Sequence, residues 1–163
     1  MPYNPEINHR RSIRLKGYDY SQPGAYFVTF NTYQNLPLLG KIQDGIVILT
    51  RAGQIVQQLW QDLPSHHSNV QLDEFIIMPQ HVHGIILLVE NDPPDRQTRS
   101  SLAEVVRAVK TFSARRINAL QHTQGTPVWQ RNYYEHIIRN DKELAQIRQY
   151  IRDNPRRSEK SHA

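Results

Sequence analysis

No cysteine occurs in the 163 residues. Disulfides and thiolate metal sites are therefore excluded, and a reducing cytoplasm is the natural compartment. No apolar run approaches the ~20 residues of a membrane-spanning helix, so no membrane partner is expected. The stretch from Met1 to Lys16 is polar and basic and lacks the apolar segment of a secretory signal. There are no internal repeats and no stretch that reads as a linker. One domain over residues 1–163 is the expectation, with 1–16 as a basic arm and 156–163 as a flexible tail.

Charge is unevenly placed. Residues 1–90 carry six Lys and Arg against seven Asp and Glu, whereas residues 91–163 carry 14 against eight. The positive charge therefore belongs to the second half, within a whole-chain net of +5. Such a field favours a polyanionic partner, nucleic acid first.

Periodicity and turn chemistry predict an α+β chain. Ala25–Tyr33 alternates in bulk and is rich in β-formers, which predicts a strand. Leu39–Ile42 and Ile46–Leu49 flank Asp44-Gly45 as a hairpin. Thr50 caps a helix with apolar positions at Ala52, Ile55, Val56, Leu59 and Trp60. Val70–Met78 and His81–Val89 are antiparallel strands parted by Pro79-Gln80. A polar loop over 91–100 leads to a long helix capped by Ser100 or Ser101 and carrying Leu102, Val105, Val106, Val109, Phe112 and Ile117. After the break at Gly125-Thr126-Pro127, residues 128–138 run irregularly and end as a short strand. A last helix over 141–154 starts at Asn140 or Asp141 and stops at Pro155. This order contains the βαββαβ series of a ferredoxin-like fold, an antiparallel sheet with helices packed on one face.

The sharpest motif is Pro79-Gln80-His81-Val82-His83-Gly84. On a strand, His81 and His83 project from the same face and Val82 from the other. Two imidazoles so placed can share one cation; the plainer alternative is two histidines bonded to backbone at a strand start. On the last helix Leu144, Ile147 and Ile151 form the buried stripe, and Tyr150 and Asn154 stand one turn apart at its edge. Tyr150 either packs as an amphipathic edge residue or presents a working hydroxyl. Asn154 offers an amide oxygen, or merely ends the helix before Pro155. Between the motifs, Val128–Asn140 mixes aromatic, cationic and amide side chains. That suits stacking on unpaired bases with arginine on phosphate, or core packing of Trp129 and Tyr134. Arg107, Lys110, Arg115 and Arg116 either track a phosphate backbone or form a solvated helix face.

Taken in order and spacing, Met78–Gly84, Trp129–Asn140 and Tyr150–Pro155 resemble the REP-associated tyrosine transposases, domesticated relatives of the smallest insertion-sequence transposases. The resemblance runs from about Gly17 to Pro155. It implies an HUH nuclease on a ferredoxin-like or RRM-like scaffold, with His81 and His83 as metal ligands and Tyr150 as nucleophile. Asn154 matches the position of a polar third ligand. Tyr133 and Tyr134 are rival nucleophiles by residue type, but they lack the i, i+4 relation to a polar ligand. The implied cofactor is Mg²⁺ or Mn²⁺. The implied partner is single-stranded or hairpin DNA, cut and rejoined through a 5′-phosphotyrosine without ATP. The absence of a G-x-x-x-x-G-K-[ST] loop agrees with that. Candidate DNA contacts are Arg10, Arg11, Arg14, Lys16, Lys110 and Arg131. The expected location is cytoplasmic and nucleoid-associated, as a monomer or a homodimer.

Three other classes compete. A catalytically inactive RRM-like single-stranded nucleic-acid-binding protein explains the charge and the aromatics, but leaves the His81, His83 and Tyr150 pattern as coincidence. A replication or relaxation nuclease of the HUH type usually has a longer chain and paired tyrosines. A metal hydrolase of small phosphoesters turns over without a covalent intermediate.

Overall fold

The computed structural model describes residues 23–90 and 99–161. Strand β1 (Gly24–Asn31) is flanked on both sides. It pairs antiparallel with β5 (His81–Leu88) and β6 (Tyr134–Ile138), and β4 (Val70–Ile77) adds to β5, giving the order β4-β5-β1-β6. A separate hairpin joins β2 (Gly40–Gln43) to β3 (Ile46–Leu49). Its turn residues Asp44 and Gly45 have φ of 53° and 75°, the left-handed pair that a tight two-residue hairpin turn demands.

The helices start where short-range capping dictates. Helix α1 (Arg51–Gln61) begins under the Thr50 hydroxyl, which accepts from the Gly53 N–H at 3.1 Å. A single turn, α2 (Leu63–His66), follows it. Helix α3 (Leu102–Gln121) opens with a reciprocal capping box between Ser101 and Glu104, which satisfies two otherwise orphaned donors. Helix α4 (Asp141–Ser161) closes the described chain. Leaving out the β2–β3 hairpin, the one-turn α2 and the closing α4, the order is βαββαβ with ferredoxin-like strand order, as the sequence pattern predicts. Among the described residues no helix is long and apolar enough to cross a membrane.

Strand alternation divides the core in two. Tyr26, Val28, Phe30, Val82 and Ile86 meet α1 and α3 on one face of the sheet. Phe27, Ile85 and Ile138 meet Ile147 and Ile151 of α4 on the other. Two of the three long helices therefore share a face as expected, and α4 takes the opposite one. Its Leu144, Ile147 and Ile151 stripe needs an apolar surface, and the Phe27 side of the sheet supplies it; each buried isoleucine contributes roughly 1.5–3 kcal/mol. Trp129 belongs to the α1/α3 core. Its Nε1 donates to Ser113 Oγ at 2.9 Å and its ring meets Phe30 at 4.9 Å, so it packs rather than offering a platform for bases.

The expected stop at Pro155 does not occur, and residues 156–161 of the expected flexible tail are helical. Proline in a helix interior costs about 3 kcal/mol through a lost donor and a clash with the preceding turn. Burial offsets this, because Ile151, Asn154 and Pro155 are all buried. The hairpin tip also lies against the helix: a Cβ on Gly45 would stand 3.3 Å from Arg156 Cγ.

Polar contacts set the rotation of α4 on the sheet. The β4 register shifts between Leu72 and Phe75, and Asp73 and Glu74 occupy the irregularity. Arg148 grips Asp73 with two bonds of 2.8 and 2.7 Å, and Arg152 grips Glu74 at 3.1 and 2.7 Å. The Arg148 guanidinium holds the Asp73 carboxyl below the usual carboxylate range. At the start of α4, Glu143 engages His136 of β6. These partly solvated pairs add little stability, yet they select one orientation of the helix.

Gly84 shows why the histidine motif ends as it does. A Cβ there would lie 2.3 Å from Trp60 Cζ2, and Trp60 is fully buried. The missing side chain lets α1 approach the sheet. Gly84→Ala is expected to destabilise the fold by about 1–3 kcal/mol through overpacking. At about 2–4 °C per kcal/mol for a domain of this size, the melting midpoint falls by about 2–12 °C. A thermal melt followed by circular dichroism checks this, and an unchanged midpoint contradicts the close approach.

Candidate active site

Register brings the site together. On β1, Thr29 stands opposite His83 and Asn31 opposite His81. Phe27, Thr29 and Asn31 point to the α4 side, and so do His81 and His83. The two imidazoles lie with ring centroids 4.3 Å apart. Thr29 Oγ1 is 2.7 Å from His83 Nδ1, which orients the ring and leaves Nε2 as its remaining nitrogen. Phe27 stacks on His83 at 5.4 Å and 23°.

Helix α4 delivers the other half. The Tyr150 ring meets His83 at 5.4 Å and 68°, and Phe27 edge-on at 6.3 Å and 89°. One turn later Asn154, only 8% exposed, lies at hydrogen-bonding range of the His81 ring. The pairing of Tyr150 and Asn154 read from the helix period thus points into the site. A single chain contributes all four groups.

The electrostatics favour neutral imidazoles. Burial pushes His81 down to about 4, against a smaller opposing effect from Asn154. Burial also holds His83 well below its ordinary value, with His81 and Arg157 adding to the same direction. Both rings are therefore unprotonated at neutral pH, with lone pairs available to a cation. His81 Nε2 is buried and makes no hydrogen bond. Among the described residues there is no group of three or more His, Cys, Asp or Glu side chains arranged for a metal. A cation here would rest on two imidazoles and an amide.

Among the described residues, the other candidates hold different positions. Tyr134 lies on the same sheet face and meets Phe27 at 6.2 Å, whereas Tyr133 packs with the α1/α3 core. Of the three candidate tyrosines, Tyr150 is the one in ring contact with His83. Lys110 does not project freely: its ammonium donates to the carbonyls of Gln130, Arg131 and Asn132 at 2.7, 3.4 and 3.2 Å, pinning that loop to α3. Partial burial lowers its proton affinity. The Arg131 side chain is exposed, as are those of Arg107, Arg115 and Arg116 on α3, the helix on the sheet face away from Tyr150. Arg10, Arg11, Arg14 and Lys16 lie outside the described residues.

Three contributors escaped the sequence reading. Thr29 and Phe27 act through the β1–β5 register, a contact across 54 residues for Thr29 that no local pattern encodes. Arg157, whose guanidinium carbon stands 3.9 Å over the Tyr150 ring, was hidden because Pro155 predicted the end of its helix. Beside His81 there is also a polar rim. Asn35 Oδ1 accepts from the amides of both Asn31 and Gln130 at 3.2 Å. Tyr33 is exposed next to it, and Gln34 and Asn35 both hold positive φ near 55°.

Comparison with known proteins bears on the family and the fold. A family described as "Transposase IS200 like" matches residues 48–154. A Haemophilus influenzae protein described only as uncharacterized is 40% identical over 170 residues, covering 94% of this chain and 92% of its own. A second chain from that organism, named "Putative REP-associated tyrosine transposase", is 34% identical over 80 residues, 48% of this chain and 46% of its own. The structure of a REP-associated tyrosine transposase bound to a REP hairpin shares the fold, with a TM-score of 0.63 at 20% identity. It covers 90% of this chain and 74% of that one.

Proposed function

The chain belongs to the IS200-like transposase family, and from that premise we propose that it cuts and rejoins single-stranded hairpin DNA through a covalent bond to Tyr150. The observation that carries this reading is the contact between the Tyr150 ring and His83 within one chain. A REP-type hairpin is the proposed substrate because the solved relative is bound to one.

The donor set fits a divalent cation of the Mg²⁺ or Mn²⁺ kind. Two neutral imidazoles, one with a buried unpartnered Nε2, stand beside an amide. His81, His83 and Asn154 would hold the ion, with Thr29 orienting His83. When bound, the ion supplies charge neutralisation at the scissile phosphate.

The chain's own residues do the rest. The Tyr150 oxygen attacks phosphorus, the bond from phosphorus to the 3′ oxygen breaks, and the phenol proton is given up as the departing oxygen takes one from solvent. The 5′-phosphate stays on Tyr150. Attack by a 3′-hydroxyl reverses the exchange and frees the tyrosine. One phosphoester forms for each that breaks, so no ATP is consumed. Phe27 and His83 hold the ring while this happens. The unpaired strand would leave along the rim of Asn31, Tyr33, Asn35 and Gln130, where an exposed aromatic and amides can meet bases.

An end-labelled hairpin with a single-stranded flank tests the reading. With Mn²⁺ the wild-type protein is expected to give a covalent adduct on a denaturing gel, and EDTA is expected to remove it. Binding that ignores metal and never yields an adduct would leave the nucleic-acid-binding alternative in its place.

A further inference from the structure

Arg157 lies seven residues beyond Tyr150 on the same helix, about 10.5 Å along the axis of a regular helix. Its side chain nevertheless folds back onto the tyrosine. The guanidinium carbon stands 3.9 Å from the centroid of the phenol ring, and Nη2 donates to the Tyr150 carbonyl oxygen at 2.7 Å. Pro155 lies between them inside the helix and has no N–H to donate to the carbonyl of Ile151 one turn back.

The ring is thereby enclosed on several sides. Arg157 covers its face, His83 meets it at 68° and Phe27 at 89°. A phenol on a helix has two torsions; packing of the first against the sheet and of the second against a guanidinium leaves one ring plane. A cation over an aromatic face adds attraction of its own, and arginine suits that role better than lysine because it is planar. Its charge is permanent, and it borders the group on which a phosphate would come to rest.

We infer that Arg157 is a positioning residue for the nucleophile. It clamps the Tyr150 ring beside His83 and sets a fixed positive charge next to the phosphate that the ring receives. The inference rests on the nuclease reading with Tyr150 as nucleophile. Neither the histidine motif nor the tyrosine–asparagine pair contains this residue.

The test has two readouts. In single-turnover reactions with the labelled hairpin and Mn²⁺, Arg157→Ala is expected to slow adduct formation at saturating DNA on the order of a hundredfold, the scale of a small misplacement of reacting atoms. The DNA concentration for half-maximal rate is expected to stay near that of wild type. Arg157→Lys, which keeps charge without the planar fork, is expected to recover part of the loss. Added methylguanidinium is expected to restore part of the alanine variant's rate, which a general lesion in folding would not show. A wild-type rate in Arg157→Ala overturns the inference, as does a defect confined to limiting DNA. Should the alanine variant unfold, a wild-type rate in the lysine variant overturns it instead. The second readout needs no DNA. The aromatic proton resonances of Tyr150, identified by their loss in Tyr150→Phe, are expected to shift in Arg157→Ala and Arg157→Lys, and unmoved resonances overturn the clamp. Failure of the nuclease reading looks different: the wild type forms no adduct, or Tyr150→Phe still forms one.

Discussion

Tyr150→Phe is expected to eliminate the covalent protein–DNA adduct while leaving hairpin binding intact. The substitution removes one oxygen and keeps the ring, so the contacts with His83 and Phe27 survive. Nothing else in the ring contact with His83 can replace that oxygen. Tyr134 is the nearest rival in kind, but it reaches the site through Phe27. Loss of a covalent nucleophile costs far more than loss of a supporting contact, so the adduct is expected to fall by at least on the order of a thousandfold. Binding should change little, because the hydroxyl is one group in a wide contact. A denaturing gel for the adduct and a filter-binding titration for affinity separate the two effects. An adduct that persists in Tyr150→Phe moves the nucleophile elsewhere, with Tyr134 the first to be tested.

His81→Ala is the second large effect expected. His81 suits this purpose better than His83. The His83 ring is 7% exposed, stacks on Phe27 and bonds to Thr29, so its removal would damage packing as well. His81 has one buried nitrogen with no hydrogen bond, and Asn154 is the side chain that its loss would deprive of a partner. If the pair holds the cation, Mn²⁺ affinity read by electron paramagnetic resonance is expected to fall by at least about a hundredfold, the upper end of what loss of an outer-shell partner costs. A bound cation is worth several kcal/mol at a phosphoryl centre, so the adduct rate is expected to fall about a thousandfold. Unchanged Mn²⁺ affinity in a folded His81→Ala protein would remove these imidazoles from metal binding.

Both experiments probe features of very different legibility. The hairpin turn at Asp44-Gly45, the Thr50 cap and the Ser101–Glu104 capping box were visible because each is settled within a few residues. The common face of His81 and His83 was visible for the same reason, since strand alternation needs no distant partner. Pro155 misled because its local penalty is real, while the burial that overrides it comes from the sheet and the hairpin. Lys110 was illegible for another reason. Its helix position suggested a solvated cation, but its ammonium donates to the carbonyls of Gln130 and Asn132, contacts that no local pattern encodes.

The sequence by itself determined the pieces: which residues share a face, where helices begin, and that a histidine pair and a tyrosine–asparagine pair exist. Only tertiary structure decided that these pairs meet. That outcome depends on the β1–β5 register, on the β4 irregularity that presents Asp73 and Glu74 to Arg148 and Arg152, and on α4 taking the sheet face opposite α1 and α3. Alternation and capping are short-range and act on any chain segment alone. Register and helix placement come from burying apolar faces that lie up to a hundred residues or more apart, and that free energy exists only once the whole sheet has formed.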